Sequence, residues 1–318
     1  MVKALKIAVY YLKLFRWANL VVIALTLIMM RYFVLKPIIE NAGFHLMLSN
    51  TYFFYIIMST VLISAAGYVI NDYFDRRTDM INRPQKVIVG KIIPQRIAIL
   101  WHWFLTGTGV LLGFYVSYKV GLPQLGLIFI LVSGTLWFYS TTYKNQFLIG
   151  NVIIAILVAL VPLILLLFEM PLLVKEYRLQ ILAQNISLKS MVLWIGGYTI
   201  FALVTNLIRE IVKDIEDFEG DYIYGRKTIP IIWNTNGAKA IVSVFNSFIL
   251  ISATFILINN AVHLTALIYG FIVIIMPLIY FQYLLIKAQT AKEYHFLSTV
   301  LKLVMVLGLG FCVVYYYL

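Results

Sequence analysis

Nine runs of about 20 mainly apolar residues divide this chain, the length a helix needs to cross a bilayer. They fall at roughly 17–35, 51–70, 97–118, 122–140, 147–168, 190–208, 239–258, 262–286 and 296–317. Of the 318 residues 63% are hydrophobic and only 12% charged, against about 25% charged in a soluble domain. The chain therefore reads as an all-α polytopic membrane protein with nine transmembrane helices. Its one cysteine, Cys312, excludes an internal disulfide and a cysteine-rich metal site. The N-terminal Met-Val-Lys-Ala-Leu-Lys leads into the first apolar run with no small-residue cleavage site.

The net charge of +12 follows from topology rather than from nucleic-acid binding, because lysine and arginine gather on the cytoplasmic side of membrane proteins. Eighteen of the 25 Lys and Arg fall on one side if the nine spans alternate, in the N-terminus and the segments 71–96, 141–146, 209–238 with the adjoining Lys239, and 287–295. Six fall on the other side, so the N-terminus is expected to face the cytoplasm from the cell (inner) membrane. The acids are more polarised still. Ten of 13 share that side, nine of them within 71–96 and 209–238. Acids do not obey the positive-inside rule, so their concentration asks for a chemical reason.

The first island reads Asn71-Asp72-Tyr73-Phe74-Asp75-Arg76-Arg77-Thr78-Asp79, with Asn82, Arg83 and Pro84 following. Asp75 and Asp79 are four apart and share a helical face. Two carboxylates there repel unless a cation lies between them, and oxygen ligands suit a hard ion such as Mg²⁺. The second island, Arg209 to Asp221, places Asp214, Asp217 and Asp221 at spacings of three and four, predicting one helical face. Basic residues trail both: Arg83 and Lys86 the first, Arg226 and Lys227 the second. The repeat, about 140 residues apart, suggests a single domain over 1–318 built from two related helical halves, about 1–146 and 147–318. The expected fold is nine helices around a central cavity with two aspartate-rich cytoplasmic loops.

Two facing acidic clusters can hold Mg²⁺, and Mg²⁺ shares its shell between carboxylates and phosphate oxygens. Nearby Arg and Lys donate to the remaining oxygens, and metal and cations together stabilise charge developing on a departing diphosphate. If that diphosphate esterifies an allylic isoprenoid, the carbocation left behind needs a dry, aromatic-rich chamber. The chain has 22 Tyr, 21 Phe and 6 Trp. The bland alternative, a solvated juxtamembrane loop, suits one island better than two with matched spacing.

At these residues the chain resembles the UbiA superfamily of intramembrane prenyltransferases. The Asn-x3-Asp-x3-Asp motif matches Asn71, Asp75 and Asp79, followed by Asn82-Arg83-Pro84. The second, Asp-x3-Asp, matches Asp217 and Asp221 with Asp214 one turn earlier. The resemblance implies nine membrane helices, catalytic Asp75, Asp79, Asp217 and Asp221, and Mg²⁺ held by these with Asp72 and Asp214. The family's Tyr-x3-Lys element corresponds to Tyr139 and Lys144, here five apart rather than four. It assigns Lys144 to the diphosphate and Tyr139 to the chamber wall. Arg16 and Asn19 match an arginine–asparagine pair of the first helix; for Arg16 a plain topological anchor is an equal reading. Asn71, Arg83, Lys86, Arg209 and Lys213 complete the expected substrate-binding set.

Lys213-Asp-Ile-Glu-Asp-Phe-Glu-Gly-Asp221 is most similar to the branch making archaeal-type ether lipids, which implies a geranylgeranyl diphosphate donor and geranylgeranylglyceryl phosphate as acceptor. Cations for its phosphate are available at Arg76, Arg77, Arg209, Lys213, Arg226 and Lys227. Aromatic quinone precursors (4-hydroxybenzoate, homogentisate or dihydroxynaphthoate type) remain the alternative acceptors. A transporter would place ionisable groups near the bilayer midplane, where these spans carry almost none. A CDP-alcohol phosphotransferase needs an Asp-Gly-x2-Ala-Arg signature that is absent. The four scattered histidines form no zinc pattern, and segment 169–189 reads as a solvated loop or a short interfacial helix.

Overall fold

A computed structural model describes residues 2–260 and 263–317. Residue 262, the expected start of the eighth span, and the side chains of Lys3 and Lys6 lie outside the described part. The helices are α1 Val2–Leu14, α2 Trp17–Met29, α3 Lys36–Asn41, α4 Asn50–Asn82, α5 Gln95–Lys119, α6 Gly126–Thr141, α7 Ile149–Ala183, α8 Lys189–Glu216, α9 Phe218–Ile223, α10 Ile229–Asn260, α11 Leu264–Gly270, α12 Met276–Lys287 and α13 Ala291–Tyr316. Among the described residues nine helical stretches are long and apolar enough to cross a membrane. Each coincides with one of the nine apolar runs.

Proline shapes two spans without ending them. Pro37 and Pro277 lack an amide hydrogen, and each ring crowds the carbonyl four residues back. The helix widens there into π geometry, over Met30–Leu35 and Phe271–Ile275, and continues.

Several helices outrun their apolar cores. At about 1.5 Å per residue, the 33 residues of α4 extend about 50 Å, well beyond the ~30 Å hydrocarbon layer. The first acidic island thus forms the last three turns of α4 instead of a loop. No Gly or Pro interrupts it before Pro84, and Asp, Arg and Asn cost a helix only tenths of a kcal/mol each, roughly 0.7 at most. Most of the second island is likewise helical, up to Glu216. Segment 169–189 is also not a solvated loop. α7 runs through it to Ala183, kinked at Tyr177 (φ −102°, ψ 16°).

The contacts define two compact units. The first comprises Met1–Ile28, Ala42–Lys144 and Ile164–Ser187; the second Met29–Asn41, Asn145–Leu163 and Leu188–Leu318. In the first, α4 and α5 pack where Gly109 meets Ile63 and the Ser59 carbonyl, and Ser59 Oγ donates to the Gly109 carbonyl at 2.6 Å. Buried His102 donates through Nδ1 to the Ala66 carbonyl at 3.0 Å. Gly107, on the same helix, faces open space. Glu169 is 1% exposed and accepts from the amides of Met47 and Leu48, pinning the turn before α4. In the second unit, Val204, Leu207, Ile208, Ile211, Val212 and Ile215 of α8 bury against Phe281 and Leu285 of α12 and Leu297, Leu301 and Val304 of α13.

Candidate active site

The first unit carries Asn71, Asp75 and Asp79 at successive turns on one side of α4. Lys144, just past α6, donates from Nζ to Asp75 Oδ1 at 2.7 Å. Both side chains are largely enclosed, at 6% and 13% exposure, so solvent screens the pair weakly. Asp72, on an adjacent face, accepts from Arg16 Nη2 at 2.8 Å. Arg16 occupies the break between α1 and α2 in a left-handed conformation, φ 52°, with its guanidinium 4.9 Å from the Tyr68 ring centre. Strained non-glycine residues of this kind concentrate at functional sites.

Asn19 opens α2 and donates its amide to the Arg16 carbonyl at 2.8 Å. Tyr139 is half-buried on α6. Arg83 caps α4 through its amide to the Asp79 carbonyl at 2.8 Å, and Lys86 is exposed in the following turn. Beyond that turn Lys91 Nζ donates to the Pro84 carbonyl at 2.7 Å. A Cβ on Gly90 (φ 84°) would approach Arg76 Cδ to 2.8 Å, so Arg76 lies directly against this loop.

In the second unit the helix expected to carry Asp214, Asp217 and Asp221 bends at Asp217. α8 ends at Glu216, Asp217 adopts φ −93°, ψ 10°, and Asp221 lies on the short α9. The i to i−4 bonds still run through the bend, from the Asp217 amide to the Lys213 carbonyl and from the Asp221 amide to the Asp217 carbonyl. Asp221 is 2% exposed and accepts from Arg226 Nη1 at 3.0 Å. Asp214 accepts from Asn151 Nδ2 at 2.7 Å. Arg209 and Lys213, expected to bind substrate, both donate to Glu210 Oε1, at 3.2 and 2.6 Å. His295 of α13 stands 3.0 Å from Glu216, beside the bend.

Sequence alone gives several of these partners no role. Asn151 carried one signal, an amide in an otherwise apolar run one turn from its end. Glu210 reads from sequence only as one more acid of the second island, and Tyr68 and His295 carry no signal.

The donor set fits a hard divalent cation. It is all oxygen, and buried Asn71 Oδ1, on the same side of the helix as Asp75 and Asp79, has no hydrogen-bond donor among the described residues. Among these residues no three His, Cys, Asp or Glu groups converge as a closed metal cluster.

The fold and these sets define a class: a multi-pass helical membrane protein with paired aspartate motifs backed by cations. The model of the UbiA prenyltransferase family matches residues 41–314, and the chain belongs to that family. It is similar to the digeranylgeranylglyceryl phosphate synthase of Thermococcus gammatolerans, 32% identical over 238 residues, 75% of this chain and 76% of that protein. It is also similar to the synthase of the same name from Thermococcus sibiricus, 30% identical over 180 residues, 57% of this chain and a little over half (56%) of that protein. A UbiA homolog from Aeropyrum pernix K1 superposes with a TM-score of 0.63 at 13% identity, over 96% of this chain and 98% of that one. A UbiA homolog from Archaeoglobus fulgidus, bound to DMAPP and Mg²⁺, gives 0.56 at 13% identity over 96% and 99%. At these identities the superpositions speak for the fold.

Proposed function

We propose that this protein transfers a prenyl group from an allylic isoprenoid diphosphate to the hydroxyl of geranylgeranylglyceryl phosphate, with geranylgeranyl diphosphate as donor. The observation that carries the reading is the Asn71, Asp75, Asp79 series at the end of α4 with Lys144 set on Asp75. Asp75, Asp79, Asp217 and Asp221 serve as the catalytic carboxylates. Bound Mg²⁺ supplies charge neutralisation for the departing diphosphate. Asp72 and Asp214 are adjacent carboxylates, set in place by Arg16 and Asn151. Arg16, Asn19, Asn71, Arg83, Lys86, Tyr139 and Lys144 bind and orient the donor. The C1–O bond to diphosphate breaks with its electron pair leaving on the diphosphate. The acceptor oxygen bonds to C1 and releases its proton.

The names of the related synthases support the ether-lipid acceptor. The bias of basic residues supports a cytoplasmic N-terminus and cytoplasmic aspartates. The test is an assay with geranylgeranyl diphosphate and Mg²⁺ against glyceryl-phosphate and aromatic acceptors, read by mass spectrometry. Prenylation of an aromatic acceptor alone would move the protein to the quinone-precursor class. Asp75→Ala and Asp217→Ala should each lower transfer by 100-fold or more while the protein stays folded in the membrane. Full activity in either would sink the reading.

A further inference from the structure

We infer that Asn206, Arg209 and Lys213 of α8 form a subsite for the phosphate monoester of the acceptor, separate from the groups that hold the donor diphosphate. The inference rests on the prenyl-transfer reading above and deepens it.

Asn206 is 4% exposed, and its Nδ2 is buried without an acceptor among the described residues. Arg209 Nε is buried in the same condition. Buried donors without acceptors are rare, and each points to a missing partner. Two of them stand one turn apart on one helix. Positions 206, 210 and 213 share a helical face, and 209 flanks it. On that face Arg209 and Lys213 both contact the same oxygen of Glu210. Two cations gathered on one carboxylate oxygen thus stand beside two buried donors without acceptors among the described residues. Such a site takes an anion with several acceptor oxygens, and a planar guanidinium beside an ammonium suits phosphate.

Position settles which phosphate. From Asn206 to Asp217 the chain rises about 16 Å at helical pitch. A diphosphate held at Asp217 and Asp221 does not reach Asn206, three turns back along α8, so Asn206 and Arg209 address a second anionic group, with Lys213 one turn from Asp217 on its near side. Among the acceptors considered, the glyceryl phosphate ether carries one.

The test compares geranylgeranylglyceryl phosphate with its phosphate-free counterpart, geranylgeranylglycerol, using the full-length protein in lipid. In Asn206→Leu and Asn206→Asp the ratio of kcat/KM for the two acceptors should fall at least tenfold, with KM for geranylgeranyl diphosphate moving less than threefold. Loss of packing alone lowers both acceptors together and leaves the ratio in place. Should the Asn206 variants not fold, Arg209→Lys, which keeps the charge and removes the Nε donor, carries the same expectation. An unchanged ratio, or an effect confined to the donor KM, overturns the inference. A wild-type protein that prenylates only aromatic acceptors overturns the functional reading and this subsite with it.

Discussion

Arg16 combines two properties that sequence could not separate. Its basic charge at a helix end reads as an ordinary topological anchor, yet it adopts φ 52° and donates to Asp72 at 2.8 Å. A left-handed backbone costs a residue with a Cβ roughly 1–2 kcal/mol, while an ion pair whose arginine is 37% exposed returns little after solvent screening. Arg16→Ala keeps the strain and loses the pair; Arg16→Gly loses both. The glycine variant should therefore be more stable than the alanine variant by about 1 kcal/mol, and both should lose most prenyl transfer. Thermal unfolding in detergent and the transfer assay measure the two effects. Equal stabilities would remove the strain argument, and undiminished transfer would return Arg16 to the role of anchor. The aspartates themselves were legible because their spacing is local. Their partners were not: Asn151 meets Asp214 across 63 positions and Lys144 meets Asp75 across 69. A distant pairing leaves no trace in the order of residues.

At the scale of helices, the existence of the nine spans was plain because each needs an uninterrupted apolar run. Their ends were harder to read. The turns of α4 beyond residue 70 carry alternating charge, which a solvated helix and a loop share. Segment 169–189 misled for a related reason: Glu169 looks solvated in sequence, and the amides of Met47 and Leu48 that take its charge lie more than 100 residues away. Glycines were similarly ambiguous, and α5 offers a controlled pair. A Cβ at Gly113 would run into the Phe129 ring, whereas one at Gly107 meets nothing. Gly113→Ala should destabilise by about 1–3 kcal/mol through overpacking. Gly107→Ala should stabilise by up to about 1 kcal/mol through helix propensity. Thermal melts of the two variants decide it, and equal shifts would mean that α5 and α6 can slide apart without cost.

For the whole molecule, sidedness rests on charge bias, and two exposed positions test it. In a Cys312→Ser background, Gln85→Cys follows α4 and Gln184→Cys follows α7, both at exposed sites. A membrane-impermeant maleimide should label residue 85 only in inside-out vesicles and residue 184 only in right-side-out vesicles; the opposite pattern inverts the topology. The length of α4 has a further consequence. Asp72, Asp75 and Asp79 ride on helical turns that follow the apolar run of α4, and the 33-residue helix is longer than the ~30 Å hydrocarbon layer. Transfer is therefore expected to depend on bilayer thickness. In proteoliposomes of lipids with 22-carbon chains, thicker hydrocarbon presses towards the first of these turns, and the helix must stand more upright or the bilayer must thin to keep them wet. Transfer should fall several-fold relative to 16–18-carbon lipids and recover when the two are mixed. A rate indifferent to chain length would show that the aspartates are kept in water by something other than helix length.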